Sequence, residues 1–407
     1  MNGPAPLAIG AAELDDLATG RGSDRVLDTL RGGQVTKHVL LVREVAHRAR
    51  AVAPEAARVL AEADRRDPAA TRALLAHPQV GAWALHCLTG APAGSDLHHL
   101  HGVAAAAAVA AGLDATWPAP RGRVPIPALG TALTDADADA TVTVAAGRLA
   151  VGPVAVPADP AQDAPGWLGL RRLDVGPLRL ALDDLDPYRG VYDLPLADRL
   201  SPAEAAAWRA DAAAAGALLA EHHPWHVRSM ARCLTSVVPL AAAGRSATSR
   251  DAFGAAALAR PPDPRRLAAG LVHEQQHGKL NALLLFHDML RPDAPARRYY
   301  APWRTDPRPA GALLHGCYAH LAIADFWRTE YQRTTDDLSA VEFTRWRVAV
   351  ASTLDTLHAS DALSPAGRRL VDGMRAHLDS WLPDSVPADA RRQALATLDA
   401  HRAAHAI

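Results

Sequence analysis

A chain of 407 residues with 43 basic against 44 acidic side chains has a formal net charge of −1, which gives no general electrostatic grip on nucleic acid or an anionic membrane surface. Its three cysteines, Cys87, Cys233 and Cys317, lie far apart without CxxC spacing, which excludes a disulfide framework and a zinc knuckle and reads as buried thiols in a reducing compartment. The length allows two or three domains, and the Ala- and Leu-rich composition favours helix, so the expected class is mainly α (α+β).

The first residues, Met1-Asn2-Gly3-Pro4-Ala5-Pro6, lack the charged-then-apolar build of a signal peptide. The apolar run over residues 103–112 is too short to cross a bilayer, so a cytoplasmic protein is expected. Residues 24–30, 34–49 and 57–63 repeat apolar positions three and four apart, and residues 80–88 read as a buried helix of the same bundle. His98, His99 and His101 have no partner at ligand spacing and read as surface or core histidines. This defines a helical N-terminal region, residues 1–114.

The texture changes near residue 115. Pro118, Pro120, Pro125 and Pro127 break the helical pattern, and residues 141–144, 147–151 and 154–156 alternate as a small meander. Residues 168–182 continue it, with Gly176-Pro177 as a turn, and Asp183, Asp184 and Asp186 close it as a polar loop without the glycine and glutamate of a calcium loop. Residues 115–195 are therefore a β-rich insert. Helix resumes at Ser201-Pro202-Ala203-Glu204, a capping box with Pro at the first helical position. Residues 234–240 are short, apolar and β-branched, and read as a strand or extended loop; an edge strand there would suit binding a peptide by strand addition. Residues 310–332, 340–377 and 388–404 read as helices, so residues 196–407 form a helical, metal-binding catalytic region.

The chemistry is concentrated in His273-Glu274-Gln275-Gln276-His277, inside a helix-forming run. Residues four apart share a helix face, so His273 and His277 can offer two imidazole nitrogens to one metal with Glu274 beside it. Chance supplies only about 0.02 such matches at this chain's His and Glu frequencies, against the plain reading of two histidines on a polar face. A usable site needs a third protein ligand and open positions. The extended zinc-protease pattern fails, because Leu280 and Leu283 stand where its Gly and third His would fall. His287 lies about 15 Å along a straight helix from His277. A glutamate ligand would have to be Glu330 or Glu342. His315 and His320 are roughly 140° out of register on a helix, so at most one is expected to face the metal. His315 is preferred, since Gly311, Gly316 and Ala319 permit close helix approach, with His320 in reserve. The preceding loop, Tyr299-Tyr300-Ala301-Pro302-Trp303-Arg304-Thr305-Asp306-Pro307-Arg308-Pro309, offers arginines that can clamp a carboxylate, or that simply pair with Asp306 and stiffen the turn.

Residues 271–285, the Ala301-Pro302-Trp303-Arg304 and Asp306-Pro307-Arg308-Pro309 segments and the Leu313-Leu314-His315-Gly316-Cys317-Tyr318-Ala319-His320 run resemble the HExxH peptide-modification family of gene clusters for ribosomally made peptides. The likeness spans residues 246–327. It implies a peptide β-hydroxylase using Fe(II), α-ketoglutarate and O2. His273 and His277 would ligate iron, the His315 segment would add the third ligand, and Arg304 or Arg308, with Tyr300 nearby, would hold the keto acid. Glu274 would act from the second shell rather than as a base. The implied partner is a precursor peptide, with no nucleic acid or membrane. The alternatives are a zinc peptidase with Glu274 as general base, and a non-catalytic peptide-binding protein stabilised by a structural metal.

Overall fold

The structure is a computed structural model that describes residues 7–90, 94–137 and 140–405. The signal-peptide expectation falls on residues 1–6, outside the described residues. The fold is mainly α with small sheets, an α+β arrangement. Among the described residues no helix is long and apolar enough to cross a membrane. The three cysteines are free thiols, with Cys233 and Cys317 buried.

The chain packs as two compact units, which do not follow the three textures of the sequence. One takes Gly33–Ala213 and Leu234–Pro262, the other Met1–Gly32, Ala214–Cys233 and Asp263–Ile407. In the former, helices Pro54–Arg66 and Leu100–Ala110 pack closely, as their alanines permit. Strands Ala115–Ala119, Ala140–Ala145, Arg148–Val151 and Val154–Ala155 form the antiparallel meander, with Gly147 and Gly152 in left-handed turns. Two of the prolines that end the helical pattern lie on strands. Pro118 sits on an outer strand of this sheet and Pro125 on an outer strand of a three-stranded one, where a missing N–H leaves no gap in the ladder. The core is centred on Trp83, Trp117 and Trp167, all fully buried.

The strand Ser236–Pro239 corrects the edge-strand expectation. It lies inside a five-stranded sheet, parallel to both Leu178–Leu182 and Ala255–Leu258, and all four of its residues are buried. A continuous apolar run suits a strand covered on both faces, so it offers no free edge to a peptide. The aspartates of the polar loop are held by hydrogen bonds. Asp184 is buried and takes Nη1 of Arg171 at 2.7 Å, Nη1 of Arg199 at 2.5 Å and the Leu200 amide. Asp183 accepts the amides of Leu185 and Asp186.

His99 and His101 are core histidines, the former with its ring 5.2 Å from Trp83 and 4.9 Å from Tyr188. His38 is buried with Nδ1 3.0 Å from the Leu75 carbonyl, and Gly81 leaves room for its ring.

The second unit is helical. The expected helix 310–332 runs Ala310–Thr334 and ends at Thr335 in the left-handed conformation, after which Asp336 caps Asp337–Ala359. The single stretch expected over 340–377 is two helices, because Ser364 caps a new start at Pro365–Asp379. The capping box at Ser201 is formed, with Ser201 N and Oγ donating to Glu204 and the Glu204 amide returning to Ser201 Oγ. Fully buried Lys279 donates to the carbonyls of Gly20 at 2.6 Å and Arg21 at 3.1 Å, and the Tyr318 hydroxyl donates to Leu17 O. These bonds tie the N-terminal segment to the helices Pro264–Leu283 and Ala310–Thr334.

Burial holds His38 and His101 down to about 4 and His99 to about 3, against 6.5 for the free side chain. The folded form therefore keeps these rings neutral, and on acidification the unfolded chain takes up protons first. Their stabilisation is complete above pH 6.5 and lost as pH falls towards about 4. Each unit of depression contributes about 1.4 kcal/mol. Urea unfolding should give a midpoint that drops by several kcal/mol equivalents across that window. A midpoint unchanged down to pH 4 would contradict the assignment.

Candidate metal centre

The motif lies on the helix Pro264–Leu283, which starts with Pro at its first position and Asp263 accepting the Arg266 amide. Gln275 and Gln276 are buried, with Gln275 Nε2 donating to Ser229 Oγ, so the helix cannot rotate freely about its axis. His273 and His277 are partly exposed on the opposite flank. Their Nε2 atoms stand 3.2 Å apart. Two nitrogens each about 2.0–2.1 Å from a common ion would subtend roughly 100–106° at that spacing, between octahedral and tetrahedral values. The motif thus has the geometry of a chelating pair.

The helix Ala310–Thr334 packs beside it and brings two more imidazoles. The His320 ring meets His273 edge-on, centroids 4.8 Å apart, and the His315 ring stacks near His277 at 5.9 Å. The pairs run in opposite sequence directions, so the two helices are antiparallel here. Both rings therefore lie against the motif pair. Register along one helix excluded a shared direction, but the facing helix presents two rings one turn apart, and each histidine meets a different one.

Among the described residues, the only trio of ligand atoms found within 4.8 Å of one another is that of His222, His223 and Glu330. The third imidazole at the motif therefore stands beyond that limit from one of the pair. Of the two candidates, His320 is the better prepared. Its Nδ1 lies 2.8 Å from the Gly316 carbonyl, which can only accept, so the proton is on Nδ1 and the Nε2 lone pair is free for a metal. Trp303 stacks on this ring at 4.4 Å with 13° between planes, and Trp346 lies 4.4 Å from it. Burial lowers His273 and His315 to about 4 and His277 to about 3, and drives His320 well below its ordinary value. All four rings are neutral at pH 7, the form that binds metal. Buried Glu274 places Oε1 3.9 Å from His273 Nε2. His287 is removed from this group, its Nε2 2.6 Å from the Ile9 carbonyl.

The preceding loop is a hairpin, closed by Arg298–Tyr299 pairing with Arg308–Pro309. Asp306 forks both arginines, receiving Arg304 Nε at 3.1 Å and Arg308 Nη1 at 2.9 Å. The Arg308 hydrogen bond holds its carboxyl below the usual range. Asp306 therefore sets one carboxylate against the two guanidinium charges of Arg304 and Arg308. The Tyr300 hydroxyl bonds His401 Nδ1 at 2.7 Å, and Arg402 lies over its ring.

Sequence reasoning passed over the two tryptophans that enclose His320 and the His222-His223 doublet. Glu330, weighed as a ligand for the motif pair, is instead held by that doublet. The doublet at a helix end was the readable signal. Glu342 is paired with Arg345.

No family model matches the chain, and a search of the curated proteins returns no match.

A Cβ at Gly316 would meet Trp303 Nε1 at 2.4 Å. Gly316→Ala should push Trp303 off His320 and weaken metal retention by about ten- to hundredfold. His320→Ala should weaken it more than His315→Ala. Equilibrium dialysis against Fe(II) or Zn(II) measures both; equal losses for the two histidines would refute the ranking.

Proposed function

We propose that the chain is an Fe(II)- and α-ketoglutarate-dependent dioxygenase that hydroxylates a side-chain β-carbon in a ribosomally made peptide, acting in the cytoplasm. The observation that carries this reading is the chelating pair at 3.2 Å with two further neutral imidazoles packed on it from the facing helix. Such a nitrogen-rich set suits a divalent transition ion and fits iron, although it lacks the carboxylate of the common facial triad. His273, His277 and His320 would hold the ion, and His315 would flank it.

Bound iron supplies the activation of dioxygen that couples keto-acid decarboxylation to hydroxylation of a C–H bond. The chain's own residues prepare that chemistry. The Gly316 carbonyl fixes the His320 tautomer, Trp303 and Trp346 keep its ring in place and exclude water, and Glu274 supports His273 from beside the ion. On the hairpin, Arg304 and Arg308 exceed Asp306 by one positive charge, which suits a dicarboxylate co-substrate with Tyr300 at the loop's start. Free thiols agree with a reducing compartment. The near-neutral chain favours a peptide over nucleic acid as partner.

A second reading, a zinc peptidase with Glu274 as general base, is supported by the 3.9 Å approach of Glu274 to His273. One experiment separates the two. Anaerobic protein loaded with Fe(II) and then α-ketoglutarate should develop a weak visible charge-transfer band, diminished in Arg304→Ala or Arg308→Ala. Absence of the band, with tight zinc and cleavage of generic peptides, would overturn the dioxygenase reading.

A further inference from the structure

We propose that His222, His223 and Glu330 form a second site, for a divalent transition-metal ion of the zinc type, which staples the end of the helix Pro202–His222 to the helix Ala310–Thr334. His222 Nδ1 lies 2.7 Å and His223 Nε2 3.0 Å from the same Glu330 oxygen, and the three ligand atoms fall within 4.8 Å of one another. Donors around a tetrahedral ion stand about 3.3 Å apart. The two carboxylate–imidazole spacings need to open by about 0.3–0.6 Å to admit one, with the two imidazole nitrogens settling at the same separation. Two imidazoles and a carboxylate are a donor set that zinc-type ions accept, with a fourth position left for water. The His222 side chain is 17% exposed, so that position opens to solvent.

The surroundings favour an ion over a simple hydrogen-bonded trio. Glu330 is buried, with 1% exposure. Its second oxygen faces Arg265 Nε at 3.8 Å, but Arg265 also bonds Asp336 at 3.1 Å and Ser339. One guanidinium thus serves two carboxylates, and the cluster keeps one uncompensated negative charge if both histidines are neutral. His223 is held rigidly, stacked on Phe326 at 4.3 Å with 12° between planes. Its Nδ1 is buried without a hydrogen-bond partner among the described residues, and so are both ring nitrogens of His226, whose ring lies 6.1 Å away. The pocket holds more nitrogen donors than the protein's own groups use. Oε2 held by Arg265 leaves Oε1 aimed at the two imidazoles, the outer-shell support that metal-binding carboxylates ordinarily have.

The test uses the full chain with the first site removed, His273→Ala/His277→Ala, and Co(II) as probe. The expected result is one Co(II) per chain with a visible ligand-field spectrum. Adding Glu330→Gln, which keeps the side chain's shape, should weaken binding at least about tenfold, and His222→Ala, at the exposed ligand, should do the same. Far-UV circular dichroism confirms that each variant is folded. A folded double variant that binds no Co(II), or binding unchanged by Glu330→Gln, would overturn the site. Because the motif histidines are absent throughout, this outcome is independent of what the motif binds.

Discussion

The antiparallel contact between the motif helix and the helix that follows the hairpin is the constraint on which the site depends. Two histidines one turn apart on Pro264–Leu283 are a common helical arrangement; what makes them a candidate metal centre is that Ala310–Thr334 lays His315 and His320 against them. The aromatic wall over His320 needs a glycine. Trp303 occupies the space where any Cβ at residue 316 would stand, and its ring in turn covers His320. The small residue, the aromatic wall and the fixed imidazole tautomer are a single packing solution, and altering one disturbs the other two.

Around this contact, two polar side chains that would be costly to bury alone have partners. Lys279, burial of which lowers its ammonium to about 7, spends its protons on two backbone carbonyls, so the charge is balanced by dipoles rather than by an acid. Gln275 does the same through Ser229. These bonds hold the motif helix from its buried side while its histidines face the partly open flank. The long helix Ala310–Thr334 serves two clusters, with His315 and His320 early in its length and Glu330 near its end.

Much of this was legible from residue types. The helix start at Ser201-Pro202 was readable because a capping box is a local signal, and the meander over 140–155 because alternation and left-handed glycines are local too. The closeness of His273 and His277 was readable because four-residue spacing maps directly onto a helix face. What could not be read was tertiary. Whether residues 236–239 lie at an edge was not legible, because nothing local distinguishes an outer strand from an interior one; the two parallel neighbours come from distant segments. Which of His315 and His320 meets which motif histidine depends on the facing helix, which no local pattern encodes. The partners of Asp184 could not be read locally either, because Arg171 and Arg199 lie 13 and 15 residues away. The Asp306 fork was foreseen as one of two roles for the loop arginines, and both guanidiniums take part in it.

The central claim is that imidazoles from both helices share one ion at the motif. X-ray absorption at the iron edge of the full chain, loaded anaerobically with one equivalent of Fe(II), tests it most directly. The account predicts scattering from three imidazoles in the first shell, falling by one when His320 is replaced by Ala. A first shell without imidazole, or one unchanged by loss of His320, would contradict it.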